Sequence, residues 1–304
     1  MRRRTTGEPG NDLAITLGTA WGGRRQRTLA FRRLRRNRMA IVGAAILVIM
    51  VAGAVAAPLV APYDPVVMDL ESRIVSPSLG HPLGTDFFGR DVLSRIIFGA
   101  RVSLFVGLSS VGWAAMVGVP LGLVAGYVGG VAGYALMRIV DALLSFPPLL
   151  LAIAITGSLG GGQANVILAL GMIYVPVFAR LVRGQTLSLR EEAYVMAAQS
   201  YGASDAKILL RHILPNLVGI LVVQATVGFS SAVISEATLS FLGLGVAPPL
   251  PSWGRDLSDG RAYIRDAWWL VMVPAFTIVV NVLGINFLGD GLRDALDPRT
   301  RKTI

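Results

Sequence analysis

Apolar runs separated by short polar intervals set the plan of this chain. Residues 39 to 61 (MAIVGAAILVIMVAGAVAAPLVA) hold 23 positions without a charged side chain. At about 1.5 Å per helical residue they reach roughly 34 Å, enough to cross a hydrocarbon core of about 30 Å. Further charge-free runs fill 102 to 137, 142 to 179, 213 to 235, 237 to 254 and 267 to 289. The longer ones must fold back at their glycines, so the pattern predicts five more helices near 102–126, 131–156, 164–183, 216–241 and 267–289. Turns are expected at Gly129-Gly130 and at Gly157 to Gly162. Pro147-Pro148 must disturb the third span, because proline removes a backbone donor and its ring clashes with the preceding turn. The polar intervals then divide the chain into a basic tail 1–38, a first span 39–61, a loop 62–100, a five-helix core 101–290 and a C-terminal tail 291–304. Within the core, the longest polar interruption is the loop 184–216.

Composition agrees with this plan. Of 304 residues 54% are hydrophobic and 15% charged, the balance of a membrane protein. A cleaved signal peptide is the competing reading of 39–61, since arginines precede it and small residues close it. The run is longer than an apolar signal segment of about 7 to 15 residues, and its basic lead is longer than usual, so a retained anchor is expected.

Arginine and lysine set the orientation. Placing the N-terminus in the cytosol puts 21 of the 28 basic residues inside and 7 outside, with both termini cytosolic. The loop 184–216 is then cytosolic, and 62–100 and 245–266 are external. The net charge of +10 does not indicate nucleic acid, because the basic residues flank apolar spans. The stretch RRQRTLAFRRLRRNR, 24–38, is expected to lie against anionic lipid, each basic residue contributing on the order of 1 kcal/mol.

Several chemistries are excluded. No cysteine is present, which removes disulfides, thiolate metal sites and thiol nucleophiles. The two lysines, Lys207 and Lys302, follow Ala206 and Arg301, so neither can end a phosphate-binding G-x-x-x-x-G-K-[ST] loop. If ATP powers the protein, another subunit hydrolyses it. His81 and His212 fall on opposite sides of the expected membrane and cannot share a metal ion or a hydrolytic triad. Neither a catalytic site nor a metal or cofactor site is expected on this chain.

Charges inside the spans are few: Arg138, Asp141 and Glu236. Each would cost about 2.5 to 3.5 kcal/mol at the bilayer centre, and proton-driven carriers usually hold more of them facing one another. Arg138 and Asp141, three apart on one helix face, are expected to form a local ion pair. A role in the pathway or in coupling is the alternative. Glu236, in SEATLSFLGLG, either faces a water-filled cavity or hydrogen-bonds a neighbouring helix. Gly118, Gly122, Gly126 and Gly130 recur every four residues and are expected to let another backbone approach closely.

The loop YVMAAQSYGASDAKILLRHILPN, 194–216, reads as two short helices with a break. Glu191 to Gln199 suits a helix, Gly202 breaks it, Ser204 and Asp205 can cap a second, and Pro215 stops that one before the next span. An amphipathic surface loop is all that these features require by themselves.

The spacing A-A-x-x-x-G, with L-P twelve residues after the glycine, resembles the EAA loop of ABC importer permeases. Ala197, Ala198, Gly202, Leu214 and Pro215 match it, with Ala203 beside the bend. Met196 stands in place of the usual glutamate and His212 in place of the usual isoleucine. The ending RHILPN is similar to the dipeptide, oligopeptide and nickel branch, although Gln199 and Gly133 replace an arginine and an acidic residue often found there. HPLGTDFFGRDVLSRIIFGARVSL (81–104), SEATLSFLGLG (235–245) and NFLGDGLRDALDPR (286–299) resemble the second, DppC/OppC-like, of that branch's two permeases. The resemblance spans roughly residues 30 to 300.

It implies an all-α polytopic membrane protein of six transmembrane helices, with a type I ABC importer (MetI-like) permease core, in a bacterial or archaeal plasma membrane. It also implies partners: a homologous permease, two cytosolic ABC ATPases that carry ATP and Mg, and an external binding protein that delivers di- or oligopeptides. Ala197, Ala198, Gly202, Ala203, Leu214 and Pro215 would couple to the ATPase, and transport would proceed by alternating access. The alternatives are a permease for nickel chelates or other small solutes, or a stand-alone secondary transporter or channel.

Overall fold

The computed structural model describes Leu34 and residues 37–296. The basic stretch 24–38, except Leu34, Asn37 and Arg38, and everything after Leu296 lie outside the described residues. Asn37 opens the first helix, α1 (Arg38–Val55), by accepting hydrogen bonds from the amides of Met39 and Ala40 at 3.1 and 3.2 Å. The expected single helix 39–61 breaks at Ala56, and α2 (Ala57–Val60) follows with Pro58 in its first turn.

Next comes an irregular segment, and then α3 (Val92–Val128), ten residues ahead of its expected start. Asp91 caps it by accepting from the amide of Ser94 at 2.8 Å. Its first turns carry Arg95, whose guanidinium is buried against Asp256 and donates to the carbonyl of Pro65 at 3.1 Å. The buried charge in this first stretch of the helix is thus satisfied by residues distant in the chain.

The third expected span is two helices, α4 (Gly130–Leu144) and α5 (Pro148–Leu159), bent by 86° at Pro147-Pro148. There follow α6 (Gln163–Leu189), the short α7 (Ala193–Ser200) and α8 (Asp205–Ile208), and then α9 (Leu214–Phe241), α10 (Trp253–Gly260) and α11 (Trp269–Leu296). The last helix runs past the expected boundary at 290. Among the described residues, five helices are long and apolar enough to cross a membrane, or six if the bent pair counts as one span. No strand occurs among the described residues.

The broadest helix contact joins α3 to α6. Gly118, Gly122 and Gly126 face it: a Cβ at Gly118 would lie 2.6 Å from the carbonyl oxygen of Val175, and one at Gly122 would lie 2.5 Å from that of Ala179. Gly130 does not belong to this stripe. The helix has ended at Val128, and Gly129 and Gly130 turn the chain with φ of 64° and 55°, a region that suits glycine. Gly133 supplies the next close approach, since a Cβ there would lie 2.6 Å from the carbonyl oxygen of Ala125.

The first span packs on the last. Gly43 of α1 meets Gly284 and Leu288 of α11 so closely that a Cβ would lie 2.6 Å from the Gly284 carbonyl oxygen. Most of the rest of α1 is exposed apolar surface, as a helix facing lipid requires.

At the end of the bundle opposite the loop 184–216, charges form a cluster that is buried at Asp86, Arg90 and Arg95 and half-buried at Arg255 and Asp259. Arg90 donates to Asp86 at 2.6 Å, Arg95 to Asp256 at 2.9 Å through Nε, and Arg255 to Asp259 at 3.0 Å. Tryptophans tie the same region together, Trp253 donating to the carbonyl of Ile96 at 3.0 Å and Trp269 to that of Thr85 at 3.2 Å.

Candidate functional site: the loop between α6 and α9

The loop that the sequence singles out folds as a helix, a tight bend and a second helix. At the end of α7 the amide of Gly202 donates to the carbonyl of Gln199 at 2.9 Å, and the amide of Ala203 to that of Ala198 at 3.1 Å. This pair of bonds is a Schellman ending, and it needs a left-handed residue at its penultimate position. Gly202 is that residue, with φ of 75°. A Cβ there would meet nothing within 4 Å, so the glycine is demanded by the backbone and not by crowding.

Beyond the bend, Ser204 takes the N-cap position of α8, but its side chain makes no capping bond, contrary to the expectation. Asp205 is engaged elsewhere: it accepts the hydroxyl of Tyr127, from the end of α3, at 2.9 Å. The expectation that Pro215 stops the second helix is also corrected. The chain stays helical from Asp205 to Phe241, passing through one widened π-turn at Leu209–Ile213. Proline cannot donate to the turn before it and its ring crowds that turn's carbonyl, and the wider turn accommodates both defects without breaking the helix.

One apolar face of the loop is sunk into the bundle. Val195, Ile208, Ile213 and Leu217 are fully buried against Leu123 of α3 and Val182 of α6, with Ala198, Ala203 and Leu214 partly buried beside them. Asn216 adds a polar tie, donating to the Tyr194 hydroxyl at 3.2 Å and to the His212 carbonyl at 2.6 Å. Burial holds the Tyr194 phenol above its ordinary value, and Glu192 pushes the same way, so the neutral hydroxyl is the acceptor. The opposite face is open: Ala197, Gly202, Met196, Leu210 and Pro215 are exposed, and Tyr201 is 91% exposed at the bend. An exposed tyrosine thus stands among small and apolar side chains at the bend, next to a second helix that is continuous with α9.

The other singled-out charges lie apart from this surface. Asp141 does not pair with Arg138. It accepts from Arg180 of α6 at 2.6 Å, while the Arg138 guanidinium sits 4.5 Å from the Tyr134 ring centre. The local pairing is worth a few tenths of a kcal/mol on a helix, too little to outweigh a partner presented by a neighbouring helix. The Asp141–Arg180 pair is itself largely exposed and contributes about 0 to 1 kcal/mol. Glu236 is fully buried and ties α9 to α3, accepting from Ser103 at 2.9 Å and from Ser240 at 2.7 Å. Of its two readings, the structure shows the bond to a neighbouring helix. Tyr127 and Asn216 escaped the sequence reading. A tyrosine closing a span just before Gly129-Gly130, at the polar boundary, was the available signal for the first.

Comparison with known proteins fits this arrangement. The family model described as "Binding-protein-dependent transport system inner membrane component" matches residues 118–302, and "N-terminal TM domain of oligopeptide transport permease C" matches residues 26–77. The dipeptide transport system permease protein DppC of Alkalihalophilus pseudofirmus is 46% identical over 272 residues, 90% of each chain. The di/tripeptide transport system permease protein DppC of Pseudomonas aeruginosa is 44% identical, covering 87% of this chain and 89% of its own. The glutathione transport system permease protein GsiD of Escherichia coli is 46% identical, covering 89% and 90%. Among solved structures, an inward-facing conformation of the MetNI methionine ABC transporter superposes with a TM-score of 0.55 at 21% identity. It covers 67% of this chain and 97% of that one, a likeness of fold alone. This chain belongs to the family of binding-protein-dependent transport system inner membrane components, as a multi-pass membrane permease with the type I ABC importer fold.

Proposed function

We propose that this chain is one of two permeases that form the pathway of an ATP-driven importer of di- or oligopeptides. It pairs with a homologous permease, receives substrate from an external binding protein, and docks through the loop 184–216 on one of two cytosolic ATPases, which hold the ATP and Mg. Both termini lie in the cytosol of a bacterium or archaeon, an orientation that the arginine distribution supports. The observation that carries this reading is the shape of the loop: an exposed Ala197–Tyr201–Gly202 surface whose buried side is continuous with a 37-residue helical unit through the membrane. The peptide substrate is supported by the names of the relatives, three of which handle dipeptides, tripeptides or glutathione.

The mechanism follows from rigidity. A displacement of α8 is passed toward α9, because the helix continues from Asp205 through Pro215 to Phe241. Nucleotide-driven closing and opening of the ATPases would bias a two-state pathway between outward and inward access. Ala197 and Ala198 leave room for a groove on the ATPase, and Gly202 with Ala203 sets the angle between the two short helices.

Purified in a mild detergent, the chain is expected to bring with it a homologous permease and a pair of ATPases. Ala197→Glu, on the open face of the loop, is expected to remove the ATPases and leave the permease pair together. Retention of the ATPases by that variant at unchanged yield would place the docking surface elsewhere.

A further inference from the structure

Among the described residues the broadest helix contact joins α3 to α6, yet the proposed route of coupling runs through α9. The structure offers a second route. The hydroxyl of Tyr127, one residue before the end of α3, donates to Asp205 Oδ1 at 2.9 Å and accepts from Gln199 Nε2 at 3.3 Å. Gln199 belongs to α7 and Asp205 opens α8, so one hydroxyl holds both sides of the Gly202 bend. The ring of Tyr127 is partly buried against the apolar core of the loop.

The far end of the same helix is anchored as firmly. Arg95 of α3 is buried and paired with Asp256 of α10, and Trp253 of α10 donates to the Ile96 carbonyl. Helix α3 therefore runs unbroken for 37 residues, about 55 Å, from a tether at the coupling loop to a charge-paired contact at the opposite end of the bundle.

We infer that Tyr127 is a positioning residue for coupling: its hydroxyl locks α7 to α8 across the bend and makes α3 move with them. This rests on the proposed docking of the loop on an ATPase. Without the hydroxyl, the two short helices keep their apolar contacts but lose the bond that fixes the angle between them. The loop's movement then reaches α3 only through the apolar contact at Leu123, without the bond that fixes its angle.

The test uses the complete transporter in proteoliposomes, with peptide uptake and ATP hydrolysis measured together. Tyr127→Phe is expected to lower peptides moved per ATP about fivefold or more, the lower range of a coupling free energy between sites, with assembly unchanged. Asp205→Ala is expected to match it, Asp205→Asn, which keeps an acceptor oxygen, to restore most of the ratio, and Tyr127→Phe with Asp205→Ala to be no worse than either alone. Amide exchange across residues 199–208 is expected to rise in Tyr127→Phe. An unchanged ratio in Tyr127→Phe, or a double variant whose losses multiply, overturns the tether while leaving the importer reading intact. Failure of the unaltered complex to move peptide with ATP overturns the importer reading instead, and unchanged exchange in Tyr127→Phe would still count against the tether.

Discussion

Gly202→Val is expected to abolish most ATP-coupled uptake while the chain still inserts, pairs and accumulates. The residue sits at φ of 75° within a Schellman ending, and both of its bonds, to Gln199 and from Ala203 to Ala198, depend on that conformation. A left-handed backbone costs an ordinary L residue about 1 to 2 kcal/mol, and a β-branched residue is at the unfavourable end. At about 2 kcal/mol the population of the native bend falls on the order of 30-fold. Nothing lies within 4 Å of a Cβ at this position, so the cost arises from the backbone and not from a clash inside the chain. Gly202→Asn is accordingly expected to retain much of the activity, since asparagine takes the left-handed region more readily. Uptake measured for the two variants side by side separates the causes. Equal impairment by Asn and Val would mean that side-chain size against the docked partner, and not φ, sets the requirement.

Gly122→Leu is expected to have the largest effect on the fold, a near-complete loss of monodisperse protein after detergent extraction. The Cβ alone would stand 2.5 Å from the Ala179 carbonyl oxygen and 2.7 Å from the Val182 Cβ, and the first of these is backbone that no rotamer change can move aside. Helices α3 and α6 would have to separate along the interface that Gly118 and Gly126 also line, each with its own short approach to α6. Overpacking commonly costs about 1 to 3 kcal/mol where side chains can yield, and more is expected against a carbonyl. A domain stable by about 5 to 15 kcal/mol has limited room for that. Gly112→Leu is the internal comparison, on the same helix with open space around its Cβ, and is expected to accumulate normally. If both leucine variants fold equally well, the glycine stripe is not what brings α3 onto α6.

The sequence disclosed the spans because lipid imposes a length and an absence of charge that a linear pattern can show. It disclosed the bend at Pro147-Pro148 and the break at Gly202 for the same kind of reason, since both are local backbone chemistry. What it concealed depends on partners remote in the chain. The ten residues before 102 read as loop because Arg95 and Arg101 interrupt the apolar run, and the burial of Arg95 is explained by Asp256, 161 positions away, and the Pro65 carbonyl. Asp141 had an eligible neighbour at Arg138, yet Arg180 on another helix takes it. Glycine spacing identified a packing face correctly at three positions, but Gly130 lay beyond the helix end, where periodicity no longer means a shared face. Within the loop, Pro215 was misread as a helix stop, while the bend at Gly202 was legible from local sequence. The hydroxyl of Tyr127 and the amide of Asn216, which hold that loop in place, were not, because each works by reaching a separate element.

The central claim is that this chain moves solute only when ATPases drive it through the loop 184–216. Proteoliposomes holding this permease, its homologous permease and both ATPases, supplied with peptide-loaded binding protein, test it most directly. Uptake is expected to require ATP, to be insensitive to collapse of proton and sodium gradients, and to fall with Gly202→Val while the assembled complex stays intact. Uptake by this chain alone, driven by an ion gradient without any ATPase, would contradict the account.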